Sequence, residues 1–137
     1  MTAINTSTVI PDTHADLLES KALAHVATIG PDGEPQANPV WFGWDGKHLK
    51  FSQTTTRQKV KNLGRDSRIA LSIVDPENPY RYLEIRGKQV RVEADPDKAF
   101  IDEMAHKYMG VDEYPWKQPG EDRVVIVIEP EHTTSMG

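Results

Sequence analysis

Residues 52–61 read Ser-Gln-Thr-Thr-Thr-Arg-Gln-Lys-Val-Lys, placing hydroxyls and cations directly after a β-like stretch. At a helix start, unpaired backbone N–H groups and the positive end of the helix dipole attract an anion. Thr54 and Thr55 add short donors there, and Arg57 and Lys59 add charge. At 100° per residue, Arg57 and Lys61 fall on one margin of a Val60/Leu63 stripe and Lys59 on the other. The cations therefore bracket the buried edge of the helix. The same residues also read as a capped helix with a solvated basic face, and spacing alone does not separate an anion socket from that. Nothing in the pattern distinguishes phosphate from sulfate or a carboxylate.

Two aromatic stretches come next. In "ANPVWFGW", Trp41 points to the face opposite Val40 and Phe42, and Pro39, which cannot donate to a ladder, marks an edge or a bulge. Open backbone groups there could bind a ligand's polar rim, although aromatic residues in strands are commonly core. In "NPYRYLEIRG", Tyr80 and Tyr82 share a face, which also suits ordinary cross-strand packing. The five histidines form no His-x-x-x-His or His-x-x-Glu pair, so a metal site is not expected. There is no Walker loop, no Gly-x-Gly-x-x-Gly and no Gly-x-Ser-x-Gly. Any redox chemistry would fall to a bound organic cofactor, and the sequence names no catalytic acid.

The elements that must position these residues follow from periodicity and turn signals. A capping box at Thr13 and Asp16 predicts a first helix with Leu17 and Leu18 inward. Strands are predicted in "LAHVATIG", "PQANPVWFGW", "KHLKFSQT", "SRIALSIVD", "YRYLEIRGKQVRVEA" and "RVVIVIEPEH". Asp32-Gly33 and Asp45-Gly46 supply turns, and Gly87 a bend or bulge. Thr55 or Thr56 is expected to cap a short helix ending at Gly64. Asp95 is expected to cap, and Pro96 to open, a helix carrying Phe100, Ile101, Met104 and Tyr108. Short strands with peripheral helices indicate an antiparallel barrel rather than βαβ units. Val124–Ile128 is apolar on both faces, so that strand is expected to be covered on both.

The chain's 137 residues suit one domain, read as spanning residues 1–137. Its 16 Lys+Arg against 21 Asp+Glu give a net charge of −5, which argues against general nucleic-acid binding. The absence of cysteine excludes disulfides and thiolate zinc sites. The N-terminal "MTAINTSTVIPD" lacks the pattern of a signal peptide, and no apolar run is long enough for a membrane span. A cytoplasmic protein with no membrane partner is expected.

In their order, "ALAHVATIGPDGEPQANPVWF", "SQTTTRQKVKNL", "RDSRIALSIVD" and the final strand resemble the split β-barrel flavin and deazaflavin proteins. This is the superfamily of pyridoxamine 5'-phosphate oxidase. The chain looks most like that superfamily's small coenzyme F420-dependent reductases, and the strongest piece is Arg-x-Lys-x-x-Asn-Leu at 57–63. The resemblance implies a mainly β, antiparallel split barrel, paired as a homodimer with the cofactor in a groove between subunits. It implies that Arg57 and Lys59 hold the cofactor phosphate, with Ser52, Gln53, Thr54 and Thr55 beside the sugar-like chain. Val40 and Trp41 would approach the ring, and Tyr80 and Tyr82 would reach the partner's cofactor. The implied activity is hydride transfer from reduced F420 to a C=C or C=N of a small molecule, with Tyr82, His48 or solvent as proton source. Lys50, Lys61 and Arg65 could meet the cofactor's oligoglutamate tail, which an acidic groove mouth would disfavour. FMN-dependent chemistry on the same fold, a non-catalytic F420 carrier and, less favoured, a haem-binding barrel using His132 are the alternatives. The loop over 110–122 has no alignable counterpart.

Overall fold

The computed structural model describes residues 5–137. The start of the N-terminal stretch, residues 1–4, lies outside them. Seven strands are present: β1 (Ala24–Ile29), β2 (Pro35–Val40), β3 (Gly43–Trp44), β4 (Leu49–Thr54), β5 (Arg68–Asp75), β6 (Asn78–Ala94) and β7 (Arg123–Met136). They form one sheet in the order β2-β1-β5-β6-β7-β4-β3, with every pairing antiparallel. The edge strands β2 and β3 are neighbours in the chain, so the sheet curls back on itself and stays open between them. Two helices, α1 (Gln58–Arg65) and α2 (Ala99–Met109), complete the fold. This is the antiparallel split-barrel architecture expected from the sequence.

The core follows the period-2 pattern of its strands. Val26, Phe51, Leu71, Ile73, Leu83, Ile85, Ile126 and Ile128 meet inside, joined by Leu17, Leu18 and Phe42. Val125 and Val127 point the other way, yet both are buried. Opposite them in register lie Ser52 and Lys50, on the side where α2 supplies the buried Ile101, Met104 and Ala105. Both faces of this strand are therefore buried, as expected. At Gly87 the β6–β7 register shifts, and a Cβ there would stand 2.1 Å from the Glu129 carbonyl oxygen. Only glycine permits so close an approach.

Several local expectations need correction. The capping box at Thr13 and Asp16 does not form. Residues Ala15–Glu19 make a 3-10 turn without a side-chain cap, and Thr13 instead bonds the His14 ring at 2.8 Å. Neither Thr55 nor Thr56 caps α1; Arg57 occupies the N-cap position, and the helix continues past Gly64 to Arg65. Asp95 does cap α2, from further upstream than expected. Its carboxylate accepts the N–H groups of Ala99 and Phe100 at 3.1 Å each, while Lys98 enters the helix in left-handed conformation. The continuous second strand is broken: β2 ends at Val40 and β3 begins at Gly43, leaving Trp41 and Phe42 as an unpaired corner.

Candidate functional site

The junction between β4 and α1 opens into a cavity of about 380 Å³. Val40 and Trp41 line it from the corner, Ser52 and Gln53 from β4, and Arg57 and Lys59 from the start of α1. Six of the expected residues are thus brought together at one cavity. Thr54 and Thr55 line an adjoining cavity of about 370 Å³ that shares Arg57, Tyr114, Trp116 and Arg123 with the first. Tyr80 and Tyr82 line neither: Tyr80 is 80% exposed, and Tyr82 lies across from Val74 and Met136 in the sheet. His48 sits in the hairpin after β3, held by Asp45, outside both cavities. Of the cations considered for an anionic tail, Lys50 pairs with Asp45 at 3.4 Å, Arg65 donates to the Ile29 carbonyl at 2.7 Å, and Lys61 is exposed. None of the three lines these cavities.

Asn62 fixes α1 against the sheet. It is fully buried, donates to Thr28 Oγ1 at 3.0 Å and Gln36 Oε1 at 3.4 Å, and accepts from Gln58 at 2.8 Å and Arg65 at 3.3 Å. A buried amide with both ends satisfied locks the helix rotation. That rotation turns Lys59 inward. Lys59 is only 4% exposed, and its ammonium donates to the neutral Gln53 Oε1 at 2.8 Å. It has no ion pair among the described residues, and burial together with the Arg57 charge lowers its pKa. A buried cation without a counter-ion is costly unless an anion arrives. Asn38 also lines the cavity, and its Oδ1 atom is buried without a hydrogen-bond partner among the described residues. An anion would satisfy Lys59, and a hydrogen-bond donor would satisfy Asn38 Oδ1.

The far wall is aromatic and came largely unannounced. Trp41 stacks on Tyr108 at 5.2 Å and 6° and meets Tyr114 edge-on at 6.0 Å; Tyr114 in turn meets Trp116 at 5.6 Å. Tyr114 and Trp116 belong to the unalignable loop. Asp102 of α2 anchors that loop, accepting from the Tyr114 N–H at 2.8 Å and pairing with Lys117 at 2.9 Å. Arg123 lies over the Tyr114 ring at 5.0 Å, donates to Ser52 Oγ at 3.2 Å and pairs with Glu121 at 3.0 Å. The sequence signals available were the density of aromatics in "DEYPWK" and the arginine opening the last strand.

At the end of α2, burial pushes Lys107 down to about 8, with Glu19 and Glu103 opposing part of the shift. An ordinary lysine titrates at 10.5. Between those values the unfolded chain binds more protons than the folded one, so this group's contribution to stability rises with pH across that window. Lys107→Met is expected to abolish that contribution. Urea unfolding at pH 7.5 and pH 10 should show the wild type gaining stability relative to the variant, and parallel behaviour would refute the assignment.

Comparison with known proteins agrees with this fold. The family model for pyridoxamine 5'-phosphate oxidase matches residues 10–137. A solved F420 reductase is 41% identical over 91% of this chain and 98% of its own, with a TM-score of 0.83. A conserved hypothetical protein of Mycobacterium tuberculosis, Rv2991, is 24% identical over 98% of this chain and 89% of its own, with a TM-score of 0.73. HupZ of Group A Streptococcus is 22% identical over 93% and 94%, with a TM-score of 0.66. The last two similarities show the fold alone. Against the curated proteins no match was found. With the matched residues running from β1 through β7, the chain belongs to the pyridoxamine 5'-phosphate oxidase family.

Proposed function

We propose that this protein is an F420H2-dependent reductase of an unsaturated small molecule, with a C=C or C=N as hydride acceptor. The observation that carries the reading is the buried Lys59 ammonium beside Arg57, lacking a carboxylate at the mouth of an aromatic-walled cavity. Similarity to a solved F420 reductase supports a deazaflavin over other phosphate-bearing rings. When bound, the reduced deazaflavin supplies a hydride from its ring carbon. Arg57 and Lys59 hold the phosphate, and Ser52, Gln53, Thr54 and Thr55 line the path of the sugar-like chain. Val40 and Trp41 would bound the ring, and Asn38 Oδ1 is an acceptor available to it. Ile101 and Met104, both buried, line the cavity with apolar surface beside the ring.

FMN is the second reading, because the family is that of a flavin enzyme and the same two cations suit its phosphate. One observation favours it: Lys50, Lys61 and Arg65, the cations that could meet an oligoglutamate tail, line neither cavity. Titrating the apo protein with F420 and FMN separately, following each cofactor's fluorescence, separates the two. Binding of F420 in preference to FMN is expected. Oxidation of bound F420H2 on adding an enone is the expected turnover, and its failure across a broad acceptor panel would leave a carrier.

The single domain is further proposed to pair as a homodimer, in which Tyr80 and Tyr82 reach the partner's cofactor. Tyr80 at 80% exposed and Met136 at 54% exposed are large apolar groups left bare in one chain. Light scattering in dilute solution should give twice the chain's 15.4 kDa. A monomer mass would remove the tyrosines from the site.

A further inference from the structure

We infer that Lys107 and Tyr108, outside the cavity, are positioning residues that hold the Trp41–Phe42 corner and so set the aromatic wall. The corner has no strand partner, because β2 stops at Val40 and β3 starts at Gly43. Its backbone is instead held by side chains from the last turn of α2. The Phe42 N–H donates to the Tyr108 hydroxyl at 3.2 Å, and Lys107 Nζ donates to the Phe42 carbonyl at 2.7 Å. Both polar groups of one peptide residue are thus satisfied from α2, as an unpaired buried backbone requires. The Tyr108 hydroxyl donates its own hydrogen bond to the Ala22 carbonyl at 2.7 Å, tying the segment before β1 into the same knot.

The side chains repeat the arrangement. The Tyr108 ring backs the Trp41 indole in parallel, leaving the indole's remaining surroundings to Tyr114 and the cavity. The Lys107 ammonium sits 4.6 Å from the Phe42 ring centroid and 4.9 Å from that of Tyr108. Glu19 and Glu103 are the opposite charges that act on it. Its one directional bond goes to the corner. Because Asp102 anchors Tyr114 and Lys117 from the same helix, α2 braces both the corner and the loop whose rings meet in the aromatic wall. A wall displaced by about 1 Å is enough to cost roughly a hundredfold in a positioned reaction.

The inference rests on the reading of the cavity as a ring site, so the test keeps the two apart. Wild type, Lys107→Met, Lys107→Arg and Tyr108→Phe are titrated with F420 and with FMN, and near-UV circular dichroism and thermal unfolding are recorded for each. Tyr108→Phe keeps the ring stack and loses the hydroxyl; Lys107→Met changes no aromatic residue. Each is expected to weaken binding of whichever cofactor the wild type takes by about tenfold while still melting cooperatively. Lys107→Arg, which keeps a donor, should recover most of that loss. A Lys107→Met protein with altered near-UV signal shows that the stack has moved. If the wild type binds a cofactor and the variants bind it equally tightly, positioning is overturned while the ring site stands. If the wild type binds neither, the ring site falls, and an unchanged near-UV spectrum in Lys107→Met then overturns positioning too. If Lys107→Met does not fold, Tyr108→Phe and Lys107→Arg decide by the same comparison.

Discussion

Replacing Arg57 and Lys59 together by alanine is expected to weaken F420 binding by about 2–5 kcal/mol, roughly thirtyfold to several thousandfold, without unfolding the protein. The size follows from where the charges are. A surface cation meeting a phosphate in water contributes little, because solvent screens it. Lys59 is buried, bonded to a neutral amide, and has a lowered pKa. A phosphate arriving there recovers much of what the ammonium lost on burial, so its removal should dominate the double variant. The same reasoning gives a pH dependence. An anion raises the Lys59 pKa on binding, so binding takes up protons and affinity should fall as pH climbs toward the ordinary lysine range. Fluorescence titration of both proteins at pH 7 and pH 9.5 checks both statements. Equal affinity of the double variant and the wild type would place the phosphate elsewhere.

How much of this was legible follows from the range of the interactions involved. Strands whose apolar residues alternate, such as β5 with Ile69, Leu71 and Ile73, are written locally and were readable. So was the two-sided burial of Val125–Ile128, since a strand apolar on both faces needs two covers. The glycine bulge at Gly87 was readable for a similar reason, because few other positions tolerate so close a backbone approach. The capping errors at Thr13 and Thr55 have a different origin: cap propensity is a local preference that tertiary contacts override. Thr13 was taken by the neighbouring His14, and the Thr55 N–H bonds the Asp122 carbonyl. That Arg57 and Lys59 would come to one cavity was legible because they lie two residues apart beside a helix stripe. Its aromatic wall was not. Trp41, Tyr108 and Tyr114 meet across long stretches of chain, and no spacing rule reaches that far. Nor did the stripe reveal that Asn62 would sit at 0% exposure as the helix's lock, because amides on an amphipathic helix usually face water.

Phe42→Ala should be the most destabilising truncation near the site, costing about 3–5 kcal/mol in urea unfolding. Phe42 is at 0% exposure and joins the main core, yet its backbone forms the cavity corner and its ring lies under Lys107. Removing the ring leaves a void and takes away the π face on which a poorly solvated ammonium rests. The comparison that gives this meaning is Phe51→Ala. Phe51 is equally buried, but it sits within the ladder of β4 and is fastened there by β7. Both truncations should lower stability by similar amounts, since the transfer and cavity costs are alike. Phe42→Ala alone should also weaken cofactor binding in the protein that remains folded, because the corner has no ladder to keep Trp41 in place once its core anchor is gone. Equal binding by the two variants would mean that the corner is held by α2 alone. A loss below about 1 kcal/mol in Phe42→Ala would mean that the core never depended on it.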